Sequence, residues 1–104
     1  MAKAVLIQKS RAYVRDGAFI EMLIWRVPEP VEGSGHFYKY SLALVSDGAC
    51  VLRFDNEAGK GDHWHSGTRE LPYVFSSMDA LMDDFLAAVK GWLDEYPDGE
   101  DRDT

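Results

Sequence analysis

The stretch Phe37-Tyr38-Lys39-Tyr40-Ser41-Leu42-Ala43-Leu44-Val45-Ser46-Asp47-Gly48-Ala49-Cys50-Val51-Leu52-Arg53-Phe54-Asp55 decides the fold. Its first half alternates: Tyr38, Tyr40, Leu42 and Leu44 share one side, and Lys39 and Ser41 take the other. Its second half repeats the pattern, with Cys50, Leu52 and Phe54 on one side and Val51, Arg53 and Asp55 opposite. A period of two over such lengths marks strands with one buried face. Asp47-Gly48 joins the halves, and both residue types tolerate the positive φ that a tight hairpin turn demands. Cys50, in the row of Leu52 and Phe54, is expected as buried filler rather than as a nucleophile.

Upstream the pattern continues. Ala18 to Val27 alternates, with Ile20, Met22 and Ile24 on one face and Glu21 on the other. Arg15-Asp16-Gly17 supplies a second Asp-Gly turn, so residues 3–15 form an extended first strand whose inward face is ambiguous. Between the hairpins, Pro28-Glu29-Pro30 to Gly35 is a loop, because prolines remove ladder donors and glycines loosen the chain. Downstream the period changes. Met78, Leu81, Met82, Phe85, Leu86, Val89, Trp92 and Leu93 recur at three and four, the apolar stripe of one helix. Ser76 or Ser77 caps it, and Asp79, Asp83 and Asp84 lie near its positive end. The expected fold is α+β: an antiparallel β-meander of four to five strands with a C-terminal amphipathic helix packed on the sheet. Residues 1–97 form one domain, and 98–104 an acidic disordered tail.

Charge sharpens this picture. The chain has 104 residues and a net charge of −7. Residues 1–76 hold nine acids and nine bases, whereas residues 77–104 hold nine acids and two bases. A global basic footprint for nucleic acid is absent, but the neutral sheet leaves room for a local one. A single cysteine excludes an internal disulfide. The first seven residues lack the apolar length and small-residue cleavage site of a signal peptide. No run approaches the ~20 apolar residues that span a bilayer. A cytoplasmic protein is expected.

One segment carries more chemistry than a fold requires: Arg53-Phe54-Asp55-Asn56-Glu57-Ala58-Gly59-Lys60-Gly61-Asp62-His63-Trp64-His65. It reads as a functional connection between strand four and the helix. Metal-independent RNA cleavage needs a base for the ribose 2′-OH, an acid for the leaving 5′-oxygen and a cation against phosphate. Imidazoles, with an ordinary pKa of about 6.5, suit the first two roles. If residues 63–65 are extended, His63 and His65 share a face and Trp64 points away. Lys60, Arg53 and Arg69 are candidate phosphate partners, and Asp62 or Asp55 a candidate orienter of an imidazole. Gly59 and Gly61 would let the backbone approach a phosphate closely.

Two other readings compete. His63-x-His65 with Glu70 or Asp62 could chelate a metal ion. The same residues could also be structural or shape a non-enzymatic interface, with Trp64 a core anchor and Asn56 bonding backbone. His36, after a Ser-Gly loop, is expected to be exposed and without a role.

The thirteen-residue segment resembles the signature R-Y/F-D-N-x-x-G-K-G-D-H-x-H of the TumE-like toxins of bacterial and archaeal toxin–antitoxin modules. The similarity continues through Glu70-Leu71-Pro72-Tyr73-Val74-Phe75, which matches an E-x-P-Y-x-F run, and into the Leu81 to Val89 helix with Asp84-Phe85. The resemblance implies a small cytoplasmic toxin neutralised by a co-encoded helix-turn-helix antitoxin, with RNA cleavage as its expected activity. It carries over Arg53, Asp55, Asn56, Lys60, Asp62, His63 and His65. No cofactor or metal is expected, and a homodimer is open.

Overall fold

The computed structural model describes residues 2–97; the expected acidic tail lies outside the described residues. Six strands form one antiparallel sheet in chain order: β1 (Val5–Arg15), β2 (Ala18–Arg26), β3 (Tyr38–Ser46), β4 (Ala49–Glu57), β5 (Gly61–Ser66) and β6 (Arg69–Pro72). One helix, α1 (Met78–Glu95), follows. The architecture is the α+β meander with one or two strands more than the residue pattern marks. The described residues fall into two compact units, divided between Val74 and Phe75.

In the sheet unit, the alternation of β2, β3 and β4 becomes cross-strand rows. Ile20, Leu44 and Leu52 align, as do Met22, Leu42 and Phe54. Ile20, Ile24, Tyr40, Leu42, Leu44, Leu52 and Phe54 on this face are all buried. Each such apolar side chain contributes about 1.5–3 kcal/mol of transfer free energy. Ser46 pairs with Ala49 across Asp47 (φ 51°) and Gly48 (φ 82°), the two-residue turn with both φ positive that suits twisted strands. β1 is an edge strand exposed along most of its length on both faces, which is why its pattern carries no inward side.

Two expectations are corrected. Cys50 is exposed, because a bulge at Val51 lets Val45 pair with Cys50 while Leu44 pairs with Leu52. The extra residue flips Cys50 to the face of Val45. The second correction concerns residues 53–66. They are a hairpin rather than a loop: β4 continues to Glu57, turns through Ala58-Gly59-Lys60 and returns as β5. Polar residues occupy both faces here, so hydrophobic alternation gives no strand signal. Trp64 is half-buried rather than a core residue, and stacks on Phe54 with ring centroids 5.2 Å apart.

In the helical unit, Ser77 is the N-cap: its backbone is extended and its Oγ accepts the Ala80 N–H at 3.0 Å. Leu81, Phe85 and Val89 of the apolar stripe are buried, whereas Leu86 is exposed. Lys90 and Asp94 form an exposed i,i+4 pair at 2.8 Å. Among the described residues no helix is long and apolar enough to cross a membrane.

Candidate functional site

Strand alternation sorts the segment 53–65 onto two faces. Opposite Phe54 and Trp64 lie Arg53 and Asp55 of β4 and His63 and His65 of β5, with Glu70 of β6 beside them. The register aligns Asp55 with His63, and Arg53 with His65 and then Glu70. Directly opposed side chains on antiparallel strands are within contact distance, so the meander itself builds this cluster.

His63 is the most constrained member. Its Nδ1 lies 3.0 Å from the Gly61 carbonyl, which only accepts, so Nδ1 carries a proton and donates it. Nε2 then faces Asp55 Oδ1 at 2.7 Å. The two side chains are only 5% and 10% exposed. Despite the short separation the approach is out of line for a hydrogen bond, and neither atom has another such partner among the described residues. Two buried polar atoms thus face each other without a satisfied bond, an arrangement that native proteins keep at few places.

His65 stands edge-on to His63, ring centroids 5.0 Å apart, and is 35% exposed. The Glu70 carboxylate reaches both imidazoles: Oε2 lies 4.0 Å from His63 Nε2 and 3.9 Å from His65 Nε2. Glu57 Oε1 is also 4.0 Å from His63 Nε2. Lys60 closes the group, its Nζ 3.0 Å from Glu70 Oε2. That hydrogen bond, partly opposed by desolvation, holds the Glu70 carboxyl below its ordinary value, and the same bond raises the Lys60 ammonium. Lys60, Asp62, His63 and Glu70 line one pocket with Leu71 and Pro72. Arg53 lines a neighbouring groove with Lys9, Ser10 and Glu21.

Three candidate residues fall elsewhere. Arg69 pairs with Ser66 in the row of Leu52, which turns it to the face away from the histidines. Asn56 and Asp62 pair with each other across the hairpin and also belong to that opposite face. Asn56 is fully buried and bonds backbone, as the bland reading has it. Its Oδ1 accepts the Tyr40 N–H at 3.0 Å, and its Nδ2 donates to the Tyr38 carbonyl at 2.7 Å. Asp62 does hold an imidazole, but that of His36, at 2.7 Å. Ser34 and Tyr40 hydroxyls donate to the same carboxylate, each at 2.7 Å.

His36 is therefore mostly buried and hydrogen-bonded, not exposed without a partner. No local pattern marks it, because its contact lies 26 residues away. Burial, followed by the Asp62 bond and charge, pushes the Tyr40 hydroxyl far above its ordinary value. This network ties the loop between β2 and β3 to the back of the hairpin. The closest backbone approach is also here: a Cβ at Gly61 would lie 2.6 Å from the Gly33 oxygen. At Gly61 the neighbour that glycine admits is thus this loop rather than a phosphate.

No curated protein and no solved structure matches the chain. The family model described as Toxin TumE matches residues 3–93, a span that includes the whole hairpin, the Asp62 network and nearly all of α1. The chain belongs to the TumE toxin family.

Proposed function

We propose that this toxin acts on RNA in the cytoplasm, cleaving it at the face that carries His63 and His65, and that a helix-turn-helix antitoxin neutralises it. The observation that supports this reading is the meeting of two imidazoles at 5.0 Å with Glu70, Lys60 and Asp55 around them. One imidazole takes the proton of the ribose 2′-OH as its oxygen attacks phosphorus. The other protonates the leaving 5′-oxygen, giving a 2′,3′-cyclic phosphate and a free 5′-hydroxyl. His65 is the more exposed and meets the substrate; His63 works behind it, oriented by Asp55 and Gly61. Lys60 and Arg53 bind phosphate oxygens, while Asn56 and Asp62 hold the hairpin from its other side.

The burial of His63 favours a second reading, in which the hairpin only shapes a binding surface. Growth arrest and RNA cleavage by wild type, His63→Ala and His65→Ala separate the two. Loss of cleavage in His65→Ala at unchanged melting temperature supports catalysis. Cleavage undiminished in both variants overturns it.

A further inference from the structure

We infer that Asp55, His63 and His65 form a binding site for one divalent transition-metal ion. One ligand atom from each residue lies within 4.8 Å of the others. Two imidazole nitrogens with one carboxylate oxygen form a donor set suited to Zn²⁺, Co²⁺, Ni²⁺ or Fe²⁺, and poorly suited to Mg²⁺ or Ca²⁺, which take oxygen ligands. This departs from the expectation of a metal-free site, and its carboxylate is Asp55 rather than Asp62.

The second observation is the unsatisfied pair. Because Nδ1 of His63 donates to the Gly61 carbonyl, Nε2 is the ring nitrogen left beside the Asp55 carboxylate, 2.7 Å from Oδ1. Both atoms are buried, and neither has a hydrogen bond among the described residues. A cation shared by both atoms would give each of them a coordinate bond in place of the missing hydrogen bond. The Gly61 contact is what a metal-binding histidine needs, since an outer hydrogen bond fixes the tautomer and the ring direction. Both histidines and the aspartate stand on paired strands, so the donors are held by the sheet rather than by a mobile loop. Ligand atoms around one zinc ion lie about 3.4 Å apart, given Zn–N and Zn–O bonds of about 2.1 Å, so modest side-chain rotation closes the set. Glu70, near 4 Å from both imidazoles, is the available fourth ligand once it leaves Lys60.

The binding claim does not depend on RNA as the target. It does bear on mechanism, because a ring nitrogen that holds a cation cannot carry a proton. A loaded site and proton transfer by the histidine pair exclude each other.

The test uses the full-length chain, freed of purification tag and stripped with chelator. Co²⁺ alone is titrated by visible absorption and Zn²⁺ alone by calorimetry, for wild type, His65→Ala, Asp55→Asn and His36→Ala. The site predicts saturable binding of one ion per chain and a higher melting temperature with Zn²⁺. It also predicts affinity lowered about tenfold or more in His65→Ala and Asp55→Asn, but unchanged in His36→Ala. His65 is half-exposed, so its variant folds and the comparison stands even if a His63 variant does not. Absence of saturable binding, or equal affinity in wild type and His65→Ala, overturns the proposal. RNA cleavage measured in parallel separates the claims: cleavage that requires the added ion removes the histidine-pair mechanism and keeps the site. Cleavage that persists in chelator and is suppressed by Zn²⁺ agrees with both.

Discussion

His63 Nε2 and Asp55 Oδ1 face each other at 2.7 Å in the interior of the β4–β5 hairpin, and the other ring nitrogen of His63 is committed to the Gly61 carbonyl. A pair so placed costs stability unless a proton or a cation lies between its atoms.

Replacing Asp55 by Asn tests that cost. The Asn amide can donate to His63 Nε2, where the Asp55 oxygen makes no hydrogen bond. In chelator, Asp55→Asn is expected to match or exceed wild-type stability, by about 1 kcal/mol in urea unfolding. It should nevertheless lose activity. A variant clearly less stable than wild type would show that Asp55 is there to hold the fold.

Gly61 offers a sharper structural test. Its φ is +72°, and an added Cβ would press on the Gly33 oxygen, which is backbone and cannot swing aside. Gly61→Ala should cost about 2–4 kcal/mol, combining left-handed strain with a displaced loop. Gly35→Ala, with nothing within 4 Å of its Cβ, should change stability by less than about 0.5 kcal/mol. Equal costs at the two positions would refute the close packing of this loop on the hairpin.

Tyr40 predicts an alkaline slope. Its folded hydroxyl is raised by burial and by Asp62, whereas the unfolded phenol ionises near an ordinary pKa of about 10. Above that pH the unfolded chain releases a proton that the folded one retains, so the Tyr40 contribution to stability is complete below about pH 10 and falls as pH rises further. Tyr40→Phe should be less stable at pH 7 by about 1–2 kcal/mol, through loss of the Asp62 bond, and should show a shallower decline between pH 10 and 11. Parallel pH profiles for the two proteins would contradict this assignment.

Lys60 separates function from stability. Its bond to Glu70 is exposed, so Lys60→Ala should leave the melting temperature nearly unchanged. If Lys60 meets phosphate, RNA affinity should fall and its salt dependence should become shallower by about one unit of log–log slope. An unaltered salt slope would remove Lys60 from the RNA contact.

Much of this molecule is legible from its residues, and the limits have physical causes. Tyr38 to Leu44 alternates because one face is buried, and Asp47-Gly48 adopts the turn that its residue types favour. The helix follows from the spacing of Leu81, Phe85 and Val89. Cys50 was hidden by one inserted residue at Val51, which reverses alternation without changing composition. The hairpin after Arg53 was hidden because Asp55, Asn56 and His63 are polar and buried, so no apolar rhythm marks them. The shared face of His63 and His65 is readable from period two; the partner of Asp62 is not, since His36 reaches it across the loop between β2 and β3.

The RNA cleavage proposed for the face bearing His63 and His65 can be read in one assay. The most direct measurement is the cleavage rate of a defined RNA by wild type and His65→Ala, with melting temperatures recorded on the same preparations. Acid–base catalysis at this face predicts a rate about 10²-fold or more lower in His65→Ala, with folding intact. Equal rates from two equally folded proteins would contradict it.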